Sequence, residues 1–145
     1  MHDKIGIRWV RVIIAGVLTE AVIIILIVAT ATIYKYALSP TEAEYQTFAG
    51  RVGYYLGVFG GAPTAFALAL WACRPLRADF LKNGLLVGCV AALLHAGLSV
   101  ASGAGFQVAY VIADALKLAG GTLGGYVAGR GYGRSRSSVG AGRAA

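Results

Sequence analysis

GFQVAYVIADALKLAGGTLGGYVAGR, residues 105–130, is the stretch on which the reading of the fold turns. As a helix it is long enough to cross ~30 Å of hydrocarbon, yet Asp114 and Lys117 stand in its middle. Steps of three and four place Gln107, Tyr110, Asp114, Lys117, Gly121, Gly124, Gly125 and Ala128 along one side. Val108, Ile112, Leu116, Leu123 and Val127 fall on the other. One face is polar or small and the other is apolar. In lipid, the apolar face turns outward and the polar, small face turns toward protein.

Three more apolar segments surround this one, at about residues 10–34, 51–73 and 83–102, and the fourth occupies 106–129. Composition agrees with such a count. Of 145 residues, 58% are hydrophobic and 13% charged, which is more apolar surface than a soluble domain of this size can bury. Mean hydropathy is +0.71. The formal charge of +7 raises the question of nucleic acid, but the basic residues flank the apolar segments and form no stripe with interleaved aromatics. The expected partner is therefore the lipid bilayer and not nucleic acid. A second copy of the chain or another membrane protein is a further candidate.

The charges also set an orientation. In a four-span arrangement Lys4, Arg8, Arg11, Arg74, Arg77, Lys82, Arg130, Arg134, Arg136 and Arg143 fall on one side. Only Lys35 and Arg51 fall on the other, beside Glu42 and Glu44. The positive-inside rule then puts both termini in the cytoplasm. The expectation is an all-α polytopic bundle of four transmembrane helices, N-in and C-in, in a bacterial inner membrane. Residues 1–9 form a basic cytoplasmic tail, 10–130 the membrane domain, and the Gly/Ser/Arg-rich 131–145 a disordered tail.

The first segment competes with a signal peptide, because its start is basic and Ala29-Thr30-Ala31 resembles a cleavage site. Its apolar run exceeds the usual length and carries Glu20 at its centre, so a retained helix is expected. In the loop that follows, Thr41 and Glu44 have the spacing of a capping box. The second segment carries Gly53, Gly57 and Gly61 at intervals of four, which predicts close approach of another helix. Pro63 predicts a kink, because without an N–H it leaves the Phe59 carbonyl unpaired. On the fourth segment Gly120, Gly121, Gly124 and Gly125 are predicted packing positions. The two cysteines, Cys73 and Cys89, have no metal or redox spacing and read as small hydrophobes.

Depth brings four ionisable residues together. Glu20 lies ~15 Å and His95 ~18 Å from the cytoplasmic side, while Asp114 and Lys117 lie roughly 12–17 Å from the outer side. All four occupy a layer near the midplane, where an unpaired charge costs about 2.5–3.5 kcal/mol. Asp114 and Lys117 are three apart and can pair within their helix. Glu20 is then in excess: protonated, bridged to Lys117, or paired with a protonated His95. The cluster is either polar glue that fixes which helices meet or a proton or ion site with Glu20 as the exchangeable carboxylate. His95 has no second histidine nearby and no cysteine at its depth, so no metal is expected.

The string AGVLTEA at residues 15–21, with one Glu central in a first span, resembles the first helix of small multidrug resistance transporters. That resemblance implies proton exchange at Glu20. Across residues 8–130 the pattern is similar to small bacterial four-span membrane proteins without an assigned activity. The carriers are Arg8-Trp9-Val10-Arg11, the central acidic residue, the Gly-rich second helix and the paired glycines Gly120 to Gly125. It implies a fold and a location, not a reaction. No catalytic constellation or cofactor motif is visible, so no enzyme activity and no cofactor is expected. The expected role is a structural membrane protein or a subunit of a membrane assembly. The alternative is a proton-coupled transporter of small molecules or ions.

Overall fold

A computed structural model describes residues 6–141 except 75, 77, 104 and 106, with side chains as far as residue 131. Five helices follow one another: α1 (Trp9–Leu38), α2 (Glu42–Phe59), α3 (Gly61–Cys73), α4 (Phe80–Ala101) and α5 (Val108–Ala141). No strand occurs among the described residues. By length and composition α1 and α4 can each cross a membrane. The α2–α3 pair, bent by 44°, makes a third candidate span if taken as one. The chain is an α-helical protein with the helices of a membrane protein.

Two boundaries differ from the sequence expectation. The span expected at 51–73 is two helices, and the first begins at Glu42, inside the expected loop. The cause is the capping box: Thr41 Oγ1 accepts from the Glu44 N–H at 3.4 Å, and Glu44 Oε2 accepts from the Thr41 N–H at 2.9 Å. Two otherwise orphaned donors are satisfied there, so the helix starts early. At the other end, α5 continues to Ala141, through most of the tail expected to be disordered. No proline interrupts that run, and arginine is a good helix former. Residues 142–145 of that tail, and 1–5 of the N-terminal tail with His2 and Lys4, lie outside the described residues.

α5 also departs from the other helices. It is not one of those apolar enough to qualify as a span. Asp114, Lys117 and its many glycines dilute its apolar residues.

The break between α2 and α3 falls at Gly60 and not at Pro63. Pro63 is the third residue of α3, in a first turn whose N–H groups have no intrahelical partner in any case. The Thr64 hydroxyl donates to the Gly60 carbonyl at 2.8 Å. That bond does not serve the Phe59 carbonyl, which Pro63 is expected to leave unpaired. α2 itself is lightly packed, with Val58 its one buried residue. It docks on the end of α1 through stacked Tyr34 and Phe48 rings, 3.8 Å between centroids, and through Lys35 over Tyr45.

The start of α1 is tied to α4 by Asn83, which is 1% exposed. Its Oδ1 accepts from the Arg8 N–H at 2.9 Å, and its Nδ2 donates to the Asp79 carbonyl at 2.9 Å. Above it, Val12, Ala15, Ala69, Ala72 and Val87 form an apolar core between α1, α3 and α4. Farther along α1, the Thr19 hydroxyl satisfies itself on the Ala15 carbonyl at 2.9 Å.

α5 is packed backbone to backbone. A Cβ at Gly124 would sit 2.5 Å from the Phe66 oxygen of α3, and one at Gly121 would sit 2.5 Å from the Gly84 oxygen of α4. Gly120 abuts the Ala62 carbonyl and Gly125 the Phe80 carbonyl. In lipid, which supplies no hydrophobic drive for such contacts, close packing between small residues would carry them. Gly53 and Gly57 depart from expectation: a Cβ at either meets nothing within 4 Å. Their spacing matches a packing motif, but α2 stands away from its neighbours at that face.

Gly121→Leu or Gly125→Leu should abolish a native melt in detergent, because the blocking atoms are backbone and the cost exceeds the ~1–3 kcal/mol of ordinary overpacking. Gly57→Ala should melt within a few tenths of a kcal/mol of wild type or slightly above it. Wild-type melting of the leucine variants, or collapse of Gly57→Ala, contradicts this packing scheme.

Candidate functional site

Glu20 projects from the middle of α1, His95 from α4, and Asp114 and Lys117 from successive turns of α5. Lys117 is the largest fully buried side chain, at 0% exposure. Its stem lies against Gly61, where a Cβ would come within 2.7 Å of Lys117 Cγ. The missing side chain at the start of α3 is thus the room the lysine occupies. Gly61 is a packing glycine whose partner is a side chain instead of a helix backbone.

The ammonium reaches two carboxylates. Lys117 Nζ is 2.8 Å from Glu20 Oε1 and 3.4 Å from Asp114 Oδ1. Asp114 Oδ1 is in turn 2.7 Å from His95 Nδ1. The four residues form one chain, Glu20–Lys117–Asp114–His95. Of the routes open to Glu20, the structure takes the bridge to Lys117. That contact is an ion pair and not an aligned hydrogen bond: Oε1 is buried and without a hydrogen-bond partner. The distance decides the electrostatics: the Lys117 ammonium is closer to Glu20 than to Asp114. The His95 ring is held edge-on to Tyr110 with centroids 5.5 Å apart.

Formal charge makes the set uneven. Two carboxylates and one ammonium leave −1 when His95 is neutral and zero when it is protonated. Removing Lys117 from such a set strands buried carboxylate charge, which costs about 3–5 kcal/mol, whereas removing one carboxylate leaves a neutral pair.

A cleft of about 410 Å³ reaches this chain at both ends, touching Glu20 and His95. Asp114 and Lys117 are not among its lining residues. From Glu20 it follows α1 to Ile27, from His95 it follows α4 to Ser102, and from Ala113 it follows α5 back to Ala109. All three courses lead to the same end of the bundle. The fourth wall is α2, through Gly53, Tyr54, Gly57 and Val58. The two glycines expected to seat a helix line this opening instead. Beyond Glu20 and His95, its walls are apolar apart from Tyr54, Tyr110, Ser99 and Ser102.

Sequence reasoning did not single out Asn83 as a tie between helices. The available signal was an amide in an apolar segment, which needs buried partners in lipid. Cys73 is buried and free, with Sγ 3.4 Å from the Phe80 carbonyl. Among the described residues no three His, Cys, Asp or Glu side chains come together as a metal site requires.

If the cleft admits water, Ser99→Cys in a Cys73→Ala/Cys89→Ala background should react with a charged thiosulfonate reagent. Native Cys73, at 0% exposure, should stay unlabelled. A cysteine at Val100, exposed on the outside of α4, should also stay unlabelled once lipid covers it. Equal labelling at positions 99 and 100 contradicts an aqueous cleft. The chain matches no family model, no curated protein and no solved structure, so the geometry of this site carries the functional reading.

Proposed function

We propose that the chain is a four-span inner-membrane protein, N-in and C-in, that couples proton binding to passage of a small molecule or ion, with Glu20 as the exchangeable carboxylate. The fourth span is α5. Its apolar face (Val108, Val111, Ile112, Leu123, Val127) is exposed, and its charged residues turn inward. Its 34 residues reach ~51 Å, so the arginine-bearing end extends beyond the hydrocarbon. Bundle ends alternate as the charge bias requires, with Arg8 beside Asn83 at one end and Lys35 beside Tyr45 at the other.

The observation that carries the transport reading is the cleft. A cluster serving only as glue is best closed by packing, because access to water weakens its pairing. Here a cleft meets the two groups at the ends of the chain, Glu20 and His95. One of them is a carboxylate and the other an imidazole, the two kinds of side chain most used to pass protons. The residual −1 charge gives the cluster a place for one proton or one competing monovalent cation. Intramembrane ionisable residues mark pathways of this kind.

The other reading is a non-enzymatic structural protein or assembly subunit. Glycine surface in excess of what four helices need would support it. Gly120, Gly121, Gly124 and Gly125 are all consumed by contacts within the chain. Gly53 and Gly57 are open but face the cleft.

Proteoliposomes carrying an imposed pH gradient test the proposal. Amines, sugars and inorganic cations are added singly, with Glu20→Gln vesicles as the paired blank. At least one solute should collapse the gradient faster with wild type than with the variant. If no solute and no bare proton flux separates the two, the transport reading fails and the subunit reading takes its place.

A further inference from the structure

A second cavity, of about 460 Å³, lies between the start of α4 and the later turns of α5, away from the charged chain. It is lined in two tiers. Lys82 and Arg130 supply cations from two different helices, and Leu81 and Tyr126 supply apolar and aromatic wall. Glycine opens the α5 side: Gly125 lies against the Phe80 backbone, and a Cβ at Gly129 would sit 3.3 Å from the Phe80 ring.

The charges face outward. The Lys82 side chain is 73% exposed, although its Nζ lies 3.0 Å from Asp79 Oδ1. Arg130 is exposed and lies over the Tyr126 ring at 4.7 Å. Asp79, the carboxylate in the groove, offsets one of the two cations and leaves a net +1. Leu81 and Tyr126 are 52% and 45% exposed; Leu81 flanks Lys82, and Tyr126 lies one turn deeper than Arg130, so apolar surface continues from Arg130 toward the hydrocarbon. The groove is at the same end as Arg8, which Asn83 holds beside the Asp79 turn. This is the end that the charge bias assigns to the cytoplasmic leaflet, whose surface is anionic.

We propose that this groove seats one anionic phospholipid, its phosphate between Lys82 and Arg130 and an acyl chain along Leu81 and Tyr126. Both halves of the site are needed for that occupant. A soluble anion uses only the cations, and a zwitterionic lipid gains nothing from the net positive charge. Each basic residue at a membrane surface favours an anionic lipid by about fivefold. With Asp79 offsetting one of them, the pair should therefore give a preference of about fivefold. The inference is independent of proton coupling and shares with it only the placement of the helices in the membrane.

Native mass spectrometry of the full chain in detergent, titrated with phosphatidylglycerol or phosphatidylcholine, tests it. Wild type should retain one phosphatidylglycerol in preference to phosphatidylcholine. Lys82→Gln/Arg130→Gln should lose that preference of about fivefold. Asp79→Asn should strengthen it, and Arg51→Gln, which removes one cation at the other end, should leave it unchanged. Melting of each variant in phosphatidylcholine confirms that it is folded. An unaltered preference in the double variant overturns the proposal. So does an equal loss in Arg51→Gln, which marks general charge attraction, or displacement of the lipid by millimolar inorganic phosphate, which marks a soluble-anion site.

Discussion

Everything in this bundle is arranged around an ammonium with no exposure to solvent. Lys117 has to be neutralised where it stands, and the neutralising groups come from different parts of the chain. Glu20 brings α1 to α5. Asp114 shares the ammonium and passes the interaction to His95 on α4. Gly61 brings the start of α3 over the lysine stem. One buried cation thereby fixes the rotation of three helices about their axes and the position of the break in a fourth element. Apolar packing against lipid-like surroundings has little such directionality, because Leu and Ile face lipid as well as they face each other.

Glycines make that arrangement reachable. α5 contacts α3 through Gly120 and Gly124, and α4 through Gly121 and Gly125, so the paired glycines divide between two neighbours. With backbones this close, Lys117 and Asp114 lie within reach of groups on α1 and α4. α2 takes no part in the close packing. It hangs from Gly60, touches the end of α1 through aromatic rings, and leaves a space against the other helices. The same few residues that leave the space open, Gly53 and Gly57, line the route to Glu20 and His95. Packing and access are thus divided between α5 and α2.

Much of this was legible in the sequence, for definite reasons. Charges inside apolar segments are rare and costly, so Glu20, His95, Asp114 and Lys117 could be placed in one layer from helix rise alone. The capping box at Thr41 and Glu44 is a local pattern and was read directly. Which partner Glu20 takes was not legible, because three pairings satisfy the same charge count and only the rotation of α1 selects one. The glycine spacing was ambiguous in the same way: Gly53 and Gly57 have the spacing of Gly120 and Gly124, but only the second pair meets another backbone. The break at Gly60 was read one turn late, at Pro63, because proline is the stronger sequence mark. In the structure it falls in a first turn where it costs nothing. Asn83 was passed over because its two partners are backbone groups far from any motif.

The claim on which the rest stands is that Lys117 and Glu20 neutralise each other inside the bundle, and a double-mutant cycle measures it directly. Melting in detergent is compared for wild type, Glu20→Gln, Lys117→Met and the double variant. Lys117→Met alone should lose about 3–5 kcal/mol, because it strands a buried carboxylate. Adding Glu20→Gln removes that carboxylate, so the double variant should melt above Lys117→Met. Strictly additive losses, with the double variant the least stable of the four, would show that the two side chains do not meet and would contradict the arrangement described for this protein.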